Sequence, residues 1–166
     1  MKKTQAAPAQ NKSHTFRNLL FASICSFAVV GAIAYFVNLN MPDISVKVAA
    51  MQTGISASYP NYAPRDYSLS SVTSDDGKRI VLTFDGPDDS SFTLSEESTS
   101  WDTTALLNNY VKRNFSSEFV TLREQGITVY YDNDAAAWIN GGILYQTKSI
   151  GKNLSKEQIR NLVVSL

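Results

Sequence analysis

The sequence predicts an α+β fold: an N-terminal transmembrane helix, then an antiparallel β-sheet domain with two or three helices. Three observations carry that expectation. An uncharged apolar stretch lies near the N-terminus, short period-two runs recur between Gly, Asp and Asn turn signals, and capped helical patterns interrupt those runs.

The chain has 166 residues, with 15 Lys+Arg against 15 Asp+Glu, one His and one Cys. This neutral sum conceals an asymmetry. Residues 1–17 carry Lys2, Lys3, Lys12 and Arg17 and no acid, a surplus of +4, so the remainder of the chain stands at −4. That tail, which also holds the lone His14, lacks periodicity and reads as disordered, basic and cytoplasmic. Residues 18–39 read as the transmembrane helix, with Leu19–Val37 as its apolar centre. Nineteen residues at about 1.5 Å each reach roughly 28 Å, close to the ~30 Å hydrocarbon thickness. Tyr35 and Phe36 suit the outer interface, and the positive-inside rule puts residues beyond Asp43 outside the cytoplasm. The rival reading is a signal peptide cleaved after Ala34; the apolar run exceeds the usual 7–15-residue signal core, which favours a retained anchor. Cys25 follows Ile24 rather than a small residue, so a lipoprotein signal fits poorly.

Residues 40–58 read as a juxtamembrane helix or linker. Ile44, Val48, Met51 and Ile55 are spaced by 4, 3 and 4, an apolar helix stripe that Gly54 stops. It either continues the membrane helix past Pro42 or packs as a separate helix. The outer domain then occupies 59–166. Tyr59 to Tyr67 contains Pro60 and Pro64 and is expected to be extended. Tyr67–Thr73, Arg79–Asp85 and the Phe92/Leu94 run form a meander with one wet face, turned at Asp75-Asp76-Gly77 and Gly86-Pro87-Asp88-Asp89. Asp102 caps a helix with apolar Ala105, Leu106, Tyr110, Val111 and, less regularly, Phe115. Strands follow at Glu118–Glu124 and Ile127–Tyr131 around a Gln125-Gly126 turn, then at Ala135–Asn140 and Ile143–Lys148, which flank Gly141-Gly142 with the Asn140-Gly141 pair as a hairpin signal. Ser155 with Gln158 forms a capping box, and Leu154 with Ile159 a hydrophobic staple, at the start of a last helix.

From Tyr59 onward the order of features resembles an uncharacterised bacterial extracytoplasmic domain family whose members often follow one membrane helix. The pieces that carry the resemblance are SYPNYAPRDYSL, RIVLTF, SFTLSEESTSWDTTALLNNYV and AAAWINGGILYQTKSIGKNLSKEQIRNLVVSL, within roughly residues 45–166. The resemblance implies a curved antiparallel sheet packed with helices. It is distantly similar to lipoprotein carriers and to periplasmic regulators of anti-sigma factors, which hold a lipid or peptide on the concave sheet.

The chemistry is sparse. No His or Cys follows residue 25, which removes Ser-His-Asp, Cys-His and histidine-metal sites from the outer domain. The acidic pairs Asp75-Asp76, Asp88-Asp89 and Glu96-Glu97 read as solvated turns or as strand neighbours pointing apart, and Asp132-Asn133-Asp134 as a hairpin turn. Neutral charge argues against nucleic acid, and no cofactor motif occurs. The aromatics supply the candidate ligand or partner surface: Tyr59, Tyr62, Tyr67, Trp101, Trp138 and Tyr145. Core packing is the competing reading for Trp101 and Trp138. The expectation is a non-enzymatic, single-pass, N-in protein of the cell membrane that binds a peptide, a lipid or an envelope partner. The alternatives are a structural subunit of an envelope assembly and, less favoured, a carboxylate or Ser-Lys hydrolase.

Overall fold

A computed structural model describes residues 41–75 and 77–166, together with Val30, Gly31 and Tyr35. The tail, Cys25, His14 and most of the stretch read as a membrane span lie outside the described residues, as does Asp76. Among the described residues no helix is long and apolar enough to cross a membrane. Pro42–Leu166 forms one compact unit, and it carries the fold.

The helix α1 covers 41–53 and ends at Gly54, whose φ of 69° lets its N–H reach the Ala50 carbonyl at 2.8 Å. Seven strands follow: β1 (Ser68–Asp75), β2 (Arg79–Asp85), β3 (Ser91–Ser98), β4 (Val120–Glu124), β5 (Ile127–Tyr131), β6 (Ala135–Asn140) and β7 (Ile143–Ile150). They form one antiparallel sheet in the order β1-β2-β3-β7-β6-β5-β4. Two meanders therefore meet where β7 pairs with β3. Helix α2 joins them; it is α-helical at Thr103–Leu106 and Lys112–Asn114, with a π-helical turn at Leu107–Val111 between. Helix α3 (Lys156–Ser165) closes the chain.

Period-two alternation decides the faces. On β2, Ile80, Leu82 and Phe84 are fully buried, and on β3 so are Phe92 and Leu94. The register then lines up one continuous row: Ile80, Glu96, Tyr145, Trp138, Val129 and Leu122, each opposite the next. Val46, Ala49 and Ile55 from one end, with Ile159, Leu162 and Val163 from α3, cover this face. Each fully buried large side chain contributes about 1.5–3 kcal/mol.

The structure corrects the stripe read on α1. Of that stripe Ile55 is buried, but Val46 and Ala49 are the buried face of the helix and Ile44, Val48 and Met51 are exposed. Both sets have helical spacing, and the smaller set is the one turned into the core. The segment read as a juxtamembrane helix or linker is helical over 41–53 and supplies core residues. The β6–β7 connection falls between the strand ends expected from sequence, but its two turn residues are Gly141-Gly142 rather than the Asn140-Gly141 pair. Gly141 and Gly142, at φ 57° and 78°, make the turn, and Asn140 stays in the strand opposite Ile143. Two glycines adopt positive φ more cheaply than Asn-Gly, and this register sets Trp138 against Tyr145. The Gln125-Gly126 turn, at φ 47° and 85°, stands where the sequence puts it.

The second face of the sheet is divided. Leu106 and Val111 of α2 are fully buried against Tyr130, Ala137 and Leu144. These two apolar residues are five apart, a spacing that a regular α-helix would splay and that the π turn brings to one side. Asp102 caps the helix by accepting the Ala105 N–H at 2.7 Å. On β2 and β3 the same face carries the half-buried Arg79, Val81, Thr83, Thr93, Ser95 and Glu97.

Candidate functional site

The site is the groove where α2 stops covering the sheet. Strand period and register bring Arg79 opposite Glu97, Val81 opposite Ser95 and Thr83 opposite Thr93 on this face. From β7, Gln146 lies opposite Ser95 and Lys148 opposite Thr93. Two hollows of about 360 and 490 Å³ adjoin, sharing Arg79, Tyr110 of α2 and Gln146 in their linings. One runs past Thr93, Ser95 and Lys148 toward Asp132 and Asp134. The other runs along 98–101 to Trp101.

Charges on the floor are held in pairs. Arg79 donates to Glu97 Oε2 from Nη2 at 2.9 Å and from Nε at 3.2 Å. Lys148 Nζ meets Asp134 Oδ2 at 2.5 Å. These contacts are partly exposed, so they orient the side chains more than they stabilise the fold. Ser95 Oγ donates to Gln146 Oε1 at 3.3 Å. At the far end Asp132 accepts the Ser116 N–H at 2.7 Å and the Ser116 hydroxyl at 3.0 Å, which anchors the chain leaving α2. The Ser116 backbone bond holds the Asp132 carboxyl below its usual range. Desolvation raises the Tyr110 phenol, with Arg79 and Lys148 pulling the other way. Tyr110 is therefore a neutral hydrogen-bonding group beside two cations.

Of the six aromatics expected from sequence, Trp101 alone lines this groove, 37% exposed at its mouth. Trp138 and Tyr145 are interior, stacked at 5.3 Å and 9° between planes, and offer no outer surface. Tyr59 stacks on Phe84 at 6.3 Å, and Tyr67 meets Phe92 edge-on at 5.2 Å while its hydroxyl donates to Ser90 Oγ at 3.1 Å. Tyr62 packs half-buried on the same core. The six do not form one surface, because large aromatics near the prolines and in the hairpin were recruited to the core.

The acidic pairs are also placed. Glu96 and Glu97 point to opposite faces; Glu97 holds Arg79, whereas Glu96 is fully buried instead of solvated. Asp88 and Asp89 form a tight turn, each at φ 55°. Among the described residues no three His, Cys, Asp or Glu stand together as a metal site. Arg79, Tyr110, Gln146 and Lys148 are the groove residues that sequence reading did not assemble. For Arg79, Gln146 and Lys148 the signal was polarity at outward strand positions, whereas Tyr110 was read into the apolar face of its helix; what joined the strand residues was the pairing of β3 with β7, which local patterns do not contain. Comparison with protein-family models, curated proteins and solved structures returned no match.

Proposed function

We propose that the chain is a single-pass membrane protein, N-terminus inside, whose outer domain is a non-enzymatic binding module for an extended polar peptide. The observation that carries this reading is the pair of adjoining hollows beside α2. Their floor alternates hydroxyl, amide and paired charges, and Tyr110 and Trp101 provide aromatic surface at its middle and mouth. Peptide bonds need donors and acceptors in alternation, and exposed Tyr and Trp give rigid contact area at low entropic cost. The absence of His and Cys from residues 42–166 in the sequence supports binding over catalysis. The uncharged 18–39 stretch between a basic tail and an acidic remainder supports the membrane tether. The resemblance to extracytoplasmic domains supports the same placement.

A tryptophan titration tests the reading. The full chain in lipid nanodiscs is titrated with pools of short polar peptides while emission is recorded. Trp138 is interior, so a bound peptide is expected to shift the Trp101 component, and Trp101→Phe is expected to abolish the change. Pools that leave emission and thermal stability untouched count against a peptide ligand.

A further inference from the structure

The exposed face of α1 stands apart from the groove. Val46 and Ala49 already seat the helix on the core, yet Ile44, Val48 and Met51 form a second apolar line, 43%, 48% and 83% exposed. Single exposed apolar residues are ordinary; three in helical register along one side are an unpartnered face. Their spacing of four then three is the a/d alternation of a coiled coil. In the sequence the same alternation runs back through Met41, Val37, Ala34 and Val30.

We propose that this line is a self-association seam: two copies tethered in one bilayer pair α1 in parallel through Ile44, Val48 and Met51. A second copy anchored by the same stretch presents the identical line at the identical height, which a parallel pair requires. The flanking residues agree. In a parallel pair Lys47 faces Gln52 of the partner subunit, whereas antiparallel pairing sets the two Lys47 ammoniums near one another. The line has no cluster of Lys or Arg beside it and no Trp or Phe, the features of a helix that lies in a lipid interface. Three side chains per copy bury far less than the roughly 800 Å² per partner of a stable soluble dimer. Pairing therefore depends on the high effective concentration that a shared membrane supplies. The inference rests on the tether of the proposed function and is independent of the groove.

Disulfide mapping in native membranes tests it, using the full chain with Cys25→Ser. Val48→Cys and Met51→Cys are expected to oxidise to covalent dimer about tenfold more than Asp43→Cys on the same helix or Ser117→Cys in an exposed loop, because a seam brings like Cα atoms within bridging range. Val48→Glu is expected to suppress bridging at Met51→Cys while leaving the melting temperature of the domain unchanged, since Val48 is outside the core. Equal bridging at all four positions overturns the seam. So does a nitroxide at Val48→Cys that oxygen reaches and a water-soluble nickel chelate does not, which would assign the face to lipid. A chain that washes from membranes with carbonate refutes the tether itself, a separate readout from the bridging pattern.

Discussion

The Ser58 backbone N–H donates to Glu96 Oε2 at 3.0 Å, joining the segment after α1 to the middle of the sheet. Glu96 is fully buried, and its other oxygen has no hydrogen-bond partner among the described residues. A lone carboxylate in such a place loses its hydration without a cation in return. Burial therefore raises its pKa to about 7, with the Ser58 bond pulling it down.

The sign of the resulting pH dependence follows from proton counting. A folded-state pKa of about 7 against an ordinary 4.5 means that the native chain binds the extra proton between those values. Stability is then full at low pH, declines as pH rises through that window, and levels off above it, by roughly 3 kcal/mol in all. Asp132, held low, titrates below the window and does not oppose this slope. Thermal unfolding between about pH 5 and pH 8 is expected to show a falling midpoint for the native sequence. Glu96→Gln keeps an acceptor for Ser58 and removes the charge, so its midpoint is expected to stay flat and to exceed the native one at the alkaline end. A native midpoint that rises with pH would contradict this placement of Glu96.

Gly86 predicts a steric coupling. A Cβ there would stand 2.5 Å from Tyr67 Cε1, and the backbone is not in a left-handed conformation, so the cost is contact alone. Gly86→Ala is expected to destabilise by about 1–3 kcal/mol in urea unfolding. In a Tyr67→Ala background the same change is expected to cost no more than about 0.5 kcal/mol. Equal costs in the two backgrounds would remove Tyr67 from the explanation.

Trp138 separates packing from hydrogen bonding. It stacks on Tyr145, and its Nε1 has no partner among the described residues. Trp138→Ala opens a cavity in the central row and is expected to cost about 3–5 kcal/mol. Trp138→Phe retains a ring on Tyr145 and deletes the unsatisfied N–H, so its cost is expected to be well under half of that. Comparable losses for the two would mean that the indole N–H is satisfied after all.

Topology has its own check. In a Cys25→Ser chain, an impermeant maleimide is expected to label Ser117→Cys on intact cells and Gln10→Cys only after permeabilisation. The reverse pattern would invert the proposed orientation.

How much of this was legible beforehand varies with the range of the interaction. Arg79–Asp85, Ile127–Tyr131 and Ala135–Asn140 have the bounds expected from sequence, because the alternation of the first and the turn residues beside the other two are written locally. The start of α3 was equally plain: Ser155 accepts the Gln158 N–H and Gln158 returns to the Ser155 N–H, both within four residues. On α1 two apolar sets share helical spacing, and nothing local says which one meets the sheet. Glu96 could have been read inside, since it continues the alternation of Phe92 and Leu94; its charge argued for solvent and its neighbours decided otherwise. The groove was least legible. Arg79 and Lys148 share a floor only because β7 inserts beside β3, and that insertion depends on contacts distant in sequence.

The location of the ligand is the central claim, and amide hydrogen exchange measures it most directly. The full chain in nanodiscs is compared with and without the tightest peptide from the tryptophan titration. Protection is expected on β2, β3 and β7 around Arg79, Ser95 and Gln146 and along α2, and is expected to vanish with Tyr110→Ala. Protection confined to residues 59–67, or to α3, would place the ligand on the other side of the sheet and contradict the account.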